Sequence, residues 1–381
     1  MSIGRARPEQ ASRYRYVDFA ARRRPGFRNC VVPVSEVPAL VARYGAYGCY
    51  ATFYLFDEGL LRYAGEHLRE GRPSVAGYAG PVRAPVWPLD VDAPELEAAL
   101  EAARGLFEHL TARWGIAEEG IRLFFSGKKG FHLLVDSRAL GDPAPSEKLP
   151  GVLHRLTRRL SGEMGFPPGG PLDLALKDRV RLLRLPNTRH EASGRFKIPL
   201  TAQELRTLSV GEILELARGP RPWGHADPTG LLGSDPVPVA PPARARLRAA
   251  AAAGARGRAF APPGPLRGEA VLGCPARRTL LETPAPEGQR NNTAIRLASW
   301  LREGGLSAEE TEARLLAWNR RNPSPLDEVE VRHVVASAYA APTPYRYGCR
   351  DPLIAVHCPS DPEGRRRCPY HVAARPEEKG R

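Results

Sequence analysis

The chain has little of several residue types, and each shortage excludes a class of protein. Its 381 residues include only six cysteines, too few for the disulfide scaffold of a secreted domain. No apolar run reaches the roughly 20 residues that cross a bilayer. The basic N-terminus lacks the apolar core of a signal peptide. We therefore expect a soluble, cytoplasmic protein that has no membrane partner.

Lysine is also scarce, yet the chain is strongly basic. It has 56 basic residues, only six of them lysines, against 42 acidic residues, which gives a net charge of +14. Most of the excess lies in two segments: residues 1–50 hold nine basic and three acidic residues, and residues 151–200 hold ten and four. Such an excess indicates a polyanionic partner. A GC-rich or thermophilic genome would also favour arginine over lysine.

Composition divides the chain into three parts. Residues 219–266 hold ten prolines and an alanine-arginine tract, which predicts a linker with one short helix around 243–257. Before it, residues 1–218 alternate short apolar runs with helical stretches such as 94–114, as a mixed α/β domain does. After it, residues 267–381 show helical spacing and then a loop-rich tail with cysteines, which predicts a smaller, mostly helical domain.

Two carboxylates end one of the apolar runs. The segment Leu89-Asp90-Val91-Asp92 places them at positions i and i+2, which share a face in a strand. Paired carboxylate oxygens suit Mg²⁺ or Mn²⁺. Most such pairs are solvated strand ends, so the companion motifs decide between the two interpretations.

A predicted hairpin follows. The strand Ile121–Phe125 leads into a turn of small and basic residues, and the returning strand carries His132. The turn residues are Ser126, Gly127, Lys128, Lys129 and Gly130. Such a turn brings backbone N–H groups, a hydroxyl and two ammonium groups to one place, as triphosphate binding requires. By itself, an ordinary basic turn with a packed histidine explains the pattern better.

The third element is a carboxylate followed by a cluster of cations. Asp173 precedes four basic side chains in one short segment: Arg181, Arg184, Arg189 and His190. Cations this dense repel one another unless an anion neutralises them. Together the three elements indicate one chemistry, in which carboxylates hold two metal ions and cations hold phosphates while a 3′-hydroxyl attacks an α-phosphate.

In this order, the elements resemble the small catalytic subunit of archaeo-eukaryotic primases and the related primase-polymerases. The shared pattern is D-x-D, then S-G-x-x-G-x-H, then an Asp followed by R-L-P-x-S/T-x-H, and it covers roughly residues 50–200. The resemblance implies an α/β (α+β) primase fold with an RRM-like sheet. Lys128 and Lys129 stand where the family often has arginines, which keeps the charge but loses the bidentate geometry.

The resemblance also implies roles for particular residues. Asp90, Asp92 and Asp173 would be catalytic and would bind two Mg²⁺ or Mn²⁺ ions. Six residues would contact the triphosphate of the incoming nucleotide: Ser126, Lys128, Lys129, His132, Arg184 and His190. Tyr54 or Phe56 is a candidate gate for the sugar.

The C-terminal region resembles the primase C-terminal helical domain of phage and plasmid primase-polymerases. The features that carry the resemblance are the Arg290-Asn291-Asn292 opening, the Gly304-Gly305 helix break and the Trp318-Asn319 pair. The resemblance implies a domain that holds the initiating nucleotide or the template-primer junction. The opening would contact a phosphate through Arg290 and the helix N–H groups, or would cap the helix through an asparagine.

Four cysteines flank this helical region after a gap of 224 residues without cysteine. They are Cys274, Cys349, Cys358 and Cys368, here called the cysteine group. Their dispersed spacing resembles the large primase subunit, whose four cysteines hold a 4Fe–4S cluster. Zinc, with His357 or His371 replacing a cysteine, and no metal at all remain alternatives. We expect Cys30 and Cys49 to be core residues.

The expected function is that of an enzyme, a primase-polymerase that makes primers de novo and extends them on single-stranded DNA. Its partners would be the template, nucleoside triphosphates and a replicative helicase or polymerase. We expect the basic residues 1–50 to contact the template backbone. The alternatives are a repair polymerase that extends ends without priming, and a DNA-binding replication initiator without catalysis.

Overall fold

The structure is a computed structural model in which the chain forms two compact units, Met1–Gly257 and Arg258–Arg381. It describes residues 5–6, 8–22, 27–69, 71–167, 169–174, 178–222, 229–231, 236–255, 268–286, 288–340, 345, 347–349, 351–359, 363 and 368–369. Each unit is a body with its own hydrophobic core.

The first unit is built from antiparallel sheets covered by helices. Its strands are β1 (Tyr16–Ala21), β2 (Phe27–Pro33), β3 (Cys49–Thr52), β4 (Leu68–Arg69), β5 (Arg72–Pro73), β6 (Val86–Asp92), β7 (Ile121–Phe125), β8 (Gly130–Asp136), β9 (Leu182–Arg184) and β10 (Ile198–Leu200). One four-stranded sheet has the order β2-β1-β3-β9 and the other has the order β10-β7-β8-β6. The expected α/β class is confirmed.

Helices bury the second sheet. The helices of this unit are α1 (Pro8–Arg13), α2 (Val37–Tyr44), α3 (Glu58–Glu66), α4 (Leu96–Ala112), α5 (Leu149–Glu163), α6 (Ala202–Thr207), α7 (Val210–Leu216) and α8 (Pro241–Ala255). Helix α4 packs on β6 and β8 through a buried stripe that includes Ala103 and Phe107. Trp87 of β6 donates its indole N–H to Thr157 of α5 at 2.9 Å. Because this indole is buried, the bond also satisfies a polar group in the core.

The register of the second sheet places the sequence motifs side by side. Strand β6 pairs with β8 so that Asp90 lies opposite His132 and Asp92 opposite Gly130. On the other side of β6, Val91 forms an isolated bridge with Leu172. The D-x-D end of β6 is therefore flanked by the hairpin on one side and by the segment that precedes Asp173 on the other.

The segment expected to be a linker differs from the prediction. Helix α8 falls where a short helix was expected, but it packs against α5, and Arg155 donates to the carbonyl of Ala250 at 2.7 Å. Ala243, Leu247 and Ala250 are buried at helical spacing. Small alanines allow this close approach, and the composition of the segment hides their periodicity. Residues 256–267 lie outside the described residues.

The second unit is helical, as expected. Its helices are α9 (Glu269–Leu272), α10 (Pro275–Glu282), α11 (Arg290–Glu303), α12 (Ala308–Asn319), α13 (Glu328–Ala340) and α14 (Pro352–Ala355). Trp300 and Trp318 are buried in its core. A capping box starts α12, where the Ser307 and Glu310 side chains each accept a backbone N–H of the other.

In the parts of the chain that the structure describes, no helix has both the length and the apolar composition needed to cross a membrane.

Candidate active site

An open cleft of about 190 Å³ lies where the two sheets of the first unit meet. Residues of both sheets line it: Tyr50, Asp90, Asp92, Ser126, Lys128, Lys129, His132, Arg181, Leu182, Leu183, Arg184 and His190. These include all the residues predicted for the catalytic site except Asp173, whose backbone N–H donates to the carbonyl of Asp90 at 2.9 Å. The fold thus brings the three motifs to one place.

The three carboxylates act on one another. Asp90 lies within β6, and the segment that carries Asp173 runs along the edge of that strand. The pKa of Asp90 is raised to about 7, mainly by burial and also by the negative charges of Asp92 and Asp173. Carboxylates in such proximity need positive charge nearby in order to ionise together.

Protein cations supply that charge in this structure. Two of the carboxylates have a cationic partner: Lys129 Nζ lies 3.0 Å from Asp92, and Arg181 Nη2 lies 2.6 Å from Asp173. The imidazole Nε2 of His132 lies 3.4 Å from Asp90. Among the described residues, no three His, Cys, Asp or Glu side chains converge closely enough to hold a metal ion. In this structure, Asp92 and Asp173 are therefore paired with protein cations.

Two glycines make the hairpin turn possible. Gly127 has φ +94°, a left-handed conformation that favours glycine. At Gly130, a Cβ atom would lie 2.1 Å from the carbonyl oxygen of Val91, so any side chain would clash with β6. The N–H of Gly130 donates to Ser126 Oγ at 3.2 Å. The glycines of the motif thus let the turn lie directly against the D-x-D strand.

His132 is a neutral imidazole. Burial, followed by the positive charges of Lys197 and Arg184, holds its pKa well below the usual value. Its Nδ1 atom is buried and has no hydrogen-bond partner among the described residues. The ring faces Asp90 with Nε2, so it can donate a hydrogen bond but does not add a charge.

Arg184 is held at the end of β9 by groups that the motif does not contain. Its guanidinium lies 4.6 Å from the ring centroid of Tyr50 and donates to the hydroxyl of that residue. It also donates to Glu191 at 3.0 Å. Burial alone would raise the pKa of Glu191, but a bond from its own backbone, the charge of Arg184 and the Tyr50 hydroxyl lower it to about 2.

His190 presents one ring nitrogen to the cleft. Its Nδ1 accepts the backbone N–H groups of Ala192 and Ser193, at 3.1 and 3.4 Å. This assigns the proton of the neutral ring to Nε2. Burial, followed by the charge of Arg184, lowers the pKa of His190. The ring is therefore also a neutral donor.

Lys197 is the residue that the sequence motifs missed. Its side chain is fully buried, and its ammonium donates to the carbonyl of Arg184 at 2.7 Å. Burial lowers the pKa of Lys197 to about 7, against the opposing effect of Asp90. The one available signal was a lysine inside an apolar strand segment, Phe196-Lys197-Ile198-Pro199-Leu200.

The two candidates for a sugar gate lie elsewhere. Tyr54 and Phe56 are both fully buried in the core, and neither lines the cleft. Tyr50, four positions before Tyr54, is the tyrosine on the cleft wall. Because β3 ends at Thr52, Tyr54 and Phe56 do not continue the alternation that places Tyr50.

The polar opening of the C-terminal helical region is engaged within the second unit. Arg290 donates to the carbonyl of Ser324, and Asn291 donates to Glu330 at 2.9 Å. Both residues lie inside α11, whose N-cap is Gln289, without a side-chain cap. Neither asparagine therefore caps the helix.

The cysteine group lies in one region of the second unit. Cys274 and Cys368 are buried, and Cys349 and Cys358 are exposed. Burial raises the pKa of Cys274, Arg277 lowers it, and Cys368 and Cys349 raise it again. Burial likewise raises the pKa of Cys349, Arg277 lowers it, and Cys368 and Cys358 raise it again. The thiols are close enough to influence one another, although they do not form a ligand set in this structure.

Comparison with known proteins identifies the second unit. Residues 278–341 match the Primase C terminal 1 (PriCT-1) family. No protein with a curated description matches the chain. The solved structures that are similar to the chain include a polymerase domain and a primase. The polymerase domain of Mycobacterium tuberculosis Ligase D in complex with DNA has 17% identity and a TM-score of 0.36, with 54% of this chain and 81% of that chain covered.

The second structure is that of primase RepB', with 14% identity and a TM-score of 0.29, covering 87% of this chain and 93% of that chain. At these TM-scores, neither likeness carries weight by itself, and the identification rests on residues 278–341 and on the motifs. The match over residues 278–341 confirms the expected resemblance of the C-terminal region to a primase C-terminal domain.

Proposed function

We propose that the protein is a DNA-dependent primase-polymerase, which joins nucleoside triphosphates on a single-stranded template, starting chains de novo and extending them. The observation that supports this most is the cleft itself. Asp90 and Asp92, with the basic hairpin turn beside them, share this cleft with Arg184 and His190, and Asp173 lies next to Asp90. A nucleoside triphosphate with its metal ions carries the complementary charges.

The residues fit divalent metal ions of the Mg²⁺ or Mn²⁺ type. Asp90, Asp92 and Asp173 offer only hard oxygen ligands, and burial, followed by the charges of Asp92 and Asp173, raises the pKa of Asp90. Bound ions would activate a 3′-hydroxyl and neutralise charge on the phosphates. Lys129 and Arg181 neutralise two of these carboxylates in the present structure. Their long side chains would then be available to the phosphates.

The remaining cleft residues bind and orient the nucleotide in this proposal. Arg184 and Lys128 supply fixed positive charge for the phosphates. His190 and His132 are neutral, so each contributes a hydrogen bond whose strength does not depend on protonation near pH 7. Ser126 adds a hydroxyl at the start of the turn.

We further propose that the Primase C terminal 1 domain holds the initiating nucleotide or the template-primer junction. A domain tethered to the catalytic unit raises the local concentration of the second nucleotide that priming requires. The alternative, a repair polymerase, would extend ends without needing this domain.

The cysteine group is proposed to bind a 4Fe–4S cluster, with zinc as the alternative. Its thiols influence one another electrostatically, which supports a shared site. His357 is among the described residues, and His371 lies outside them. Anaerobic purification followed by iron, sulfide and zinc analysis tests the proposal. Iron and sulfide in equal amounts support the cluster, one zinc per chain supports the alternative, and absence of all three rejects both.

The proposed function is tested on unprimed single-stranded DNA with nucleotides and Mn²⁺ or Mg²⁺. We expect dinucleotides and longer products from the wild-type chain and none from Asp90→Asn. Extension of a supplied primer without dinucleotide synthesis would indicate the repair polymerase. DNA binding without either reaction would indicate the non-catalytic initiator.

A further inference from the structure

Lys197 occupies a position that is unfavourable for a lysine. Its side chain is fully buried, and its ammonium donates to a backbone carbonyl, while the nearest acidic influence on it is the charge of Asp90. A buried charge without a paired counter-charge destabilises a fold. The ammonium contacts the carbonyl of Arg184 at 2.7 Å and lies 4.6 Å from the ring centroid of Phe124. An apolar side chain would fill this volume at lower cost, so packing alone does not explain the lysine.

The position of Lys197 connects the two sides of the cleft. It immediately precedes β10, which belongs to the sheet that carries Asp90. Its ammonium bonds to the last residue of β9, Arg184, which belongs to the other sheet. One side chain thus links the carboxylate sheet to the cation sheet beneath the cleft.

The backbone of Lys197 supports the same connection. Its N–H donates to the carbonyl of Thr188 at 3.1 Å, and its carbonyl accepts the N–H of Asn187 at 2.7 Å. Both partners lie between Arg184 and His190, the two predicted triphosphate contacts. Side chain and backbone therefore anchor the whole basic segment to the second sheet.

We propose that Lys197 is a positioning residue that holds Arg184 and the basic segment at a set distance from the carboxylates. This rests on the proposed function, because the distance matters for a ligand that spans both sides of the cleft. A nucleoside triphosphate with its metal ions is such a ligand. Lys197 would act through Arg184 and would not touch the nucleotide.

The test compares Lys197→Met with wild type in the full chain. Methionine has a similar length and no charge, so the cavity stays filled. We expect the melting temperature to stay the same or rise, because a buried charge is removed. We expect the KM for the incoming nucleotide in primer extension to rise about tenfold, the effect of losing roughly one charge-assisted hydrogen bond. The kcat should change much less.

A double-mutant cycle with Arg184→Met shows whether Lys197 acts through Arg184. We expect Lys197→Met to add less than about twofold to the KM of the Arg184→Met variant. Fully additive effects would overturn the proposal. Lys148→Met, at the exposed start of α5, is the matched control and should leave KM unchanged.

A second variant covers the case in which Lys197→Met is unstable. Lys197→Leu likewise lacks a hydrogen-bond donor, and each variant is assayed below its own melting temperature. A wild-type KM in either folded variant overturns the positioning role while leaving the proposed function intact. A wild-type chain that neither binds nucleoside triphosphates nor extends a primer rejects the proposed function instead.

Discussion

The two sides of the cleft are built in different ways. The carboxylate side lies on β6, where the register with β8 sets the position of Asp90 and Asp92. The cation side lies at the end of β9 and in the segment after it, where Arg184 is held by Tyr50 and Glu191 from outside the strand. Ladder hydrogen bonds thus position the acids, whereas long-range side-chain contacts position the bases. We therefore expect substitutions of the acidic residues to reduce activity strongly, and substitutions of the basic residues to reduce it less.

The largest effect is expected on the carboxylate side. Asp90→Asn keeps the shape of the residue but removes a metal ligand and its charge, so we expect kcat to fall by more than about 100-fold. Primer extension at saturating nucleotide measures it. Glu97→Gln, in the first turn of α4, is the matched control. A variant with near wild-type kcat would contradict the site assignment.

On the cation side, Arg184→Lys should act mainly on binding. Lysine retains the charge but not the planar fork, in which Nη2 donates to Tyr50 and Glu191 while Nη1 donates to the carbonyl of Arg189. We expect a rise in nucleotide KM of about tenfold and a small change in kcat. If kcat fell as far as in Asp90→Asn, the two sides would not be separable in this way.

The two sides should also differ in pH dependence. The pKa of Asp90 is raised to about 7 in the fold, from 3.8, so the folded state binds its proton more tightly than the unfolded chain. This residue therefore reduces stability progressively as the pH rises from about 4 to about 7. In EDTA, Asp90→Asn should melt higher than wild type at pH 8, with no such difference at pH 3.

The opposite slope between these pH values would contradict the raised pKa of Asp90. Asp92→Asn is the control, because it removes a neighbouring charge and should move the transition of Asp90 to lower pH. Both measurements need only the melting curve and do not depend on catalysis.

The smallest effect is expected from Glu191→Gln. The Glu191 carboxylate accepts a hydrogen bond from Arg184, as a phosphate would, and its pKa of about 2 keeps it charged at neutral pH. Glutamine weakens this competition, so nucleotide KM should fall by roughly two- to threefold. Primer extension at varied nucleotide concentration measures it. A higher KM would mean that Glu191 orients Arg184 for the nucleotide and does not compete with it.

Local patterns in the sequence predicted much of this site. The i, i+2 spacing of Asp90 and Asp92 placed both on β6, and the two glycines of the turn predicted the hairpin. Helical spacing likewise predicted that the second unit is mostly helical. Such signals depend only on neighbours in the chain, so they can be read without the fold.

Other features needed the fold. Helix α8 was taken for part of a linker, since its buried alanines are indistinguishable from a low-complexity tract until α5 packs against them. Tyr54 and Phe56 were candidates for the sugar gate, but β3 ends at Thr52 and both side chains are buried in the core. Both predictions were wrong because the local sequence pattern does not show which side chains the fold buries.

By itself, the sequence determined which residue types would meet: carboxylates, a glycine-rich basic turn, and a cation cluster. Only the tertiary structure decided how the cations are held, through Lys197, Tyr50 and Glu191, which contact Arg184 from other parts of the chain. The physical reason is that a strand's register propagates along its own hydrogen bonds, whereas a buried lysine acquires its role from groups that only folding brings near it.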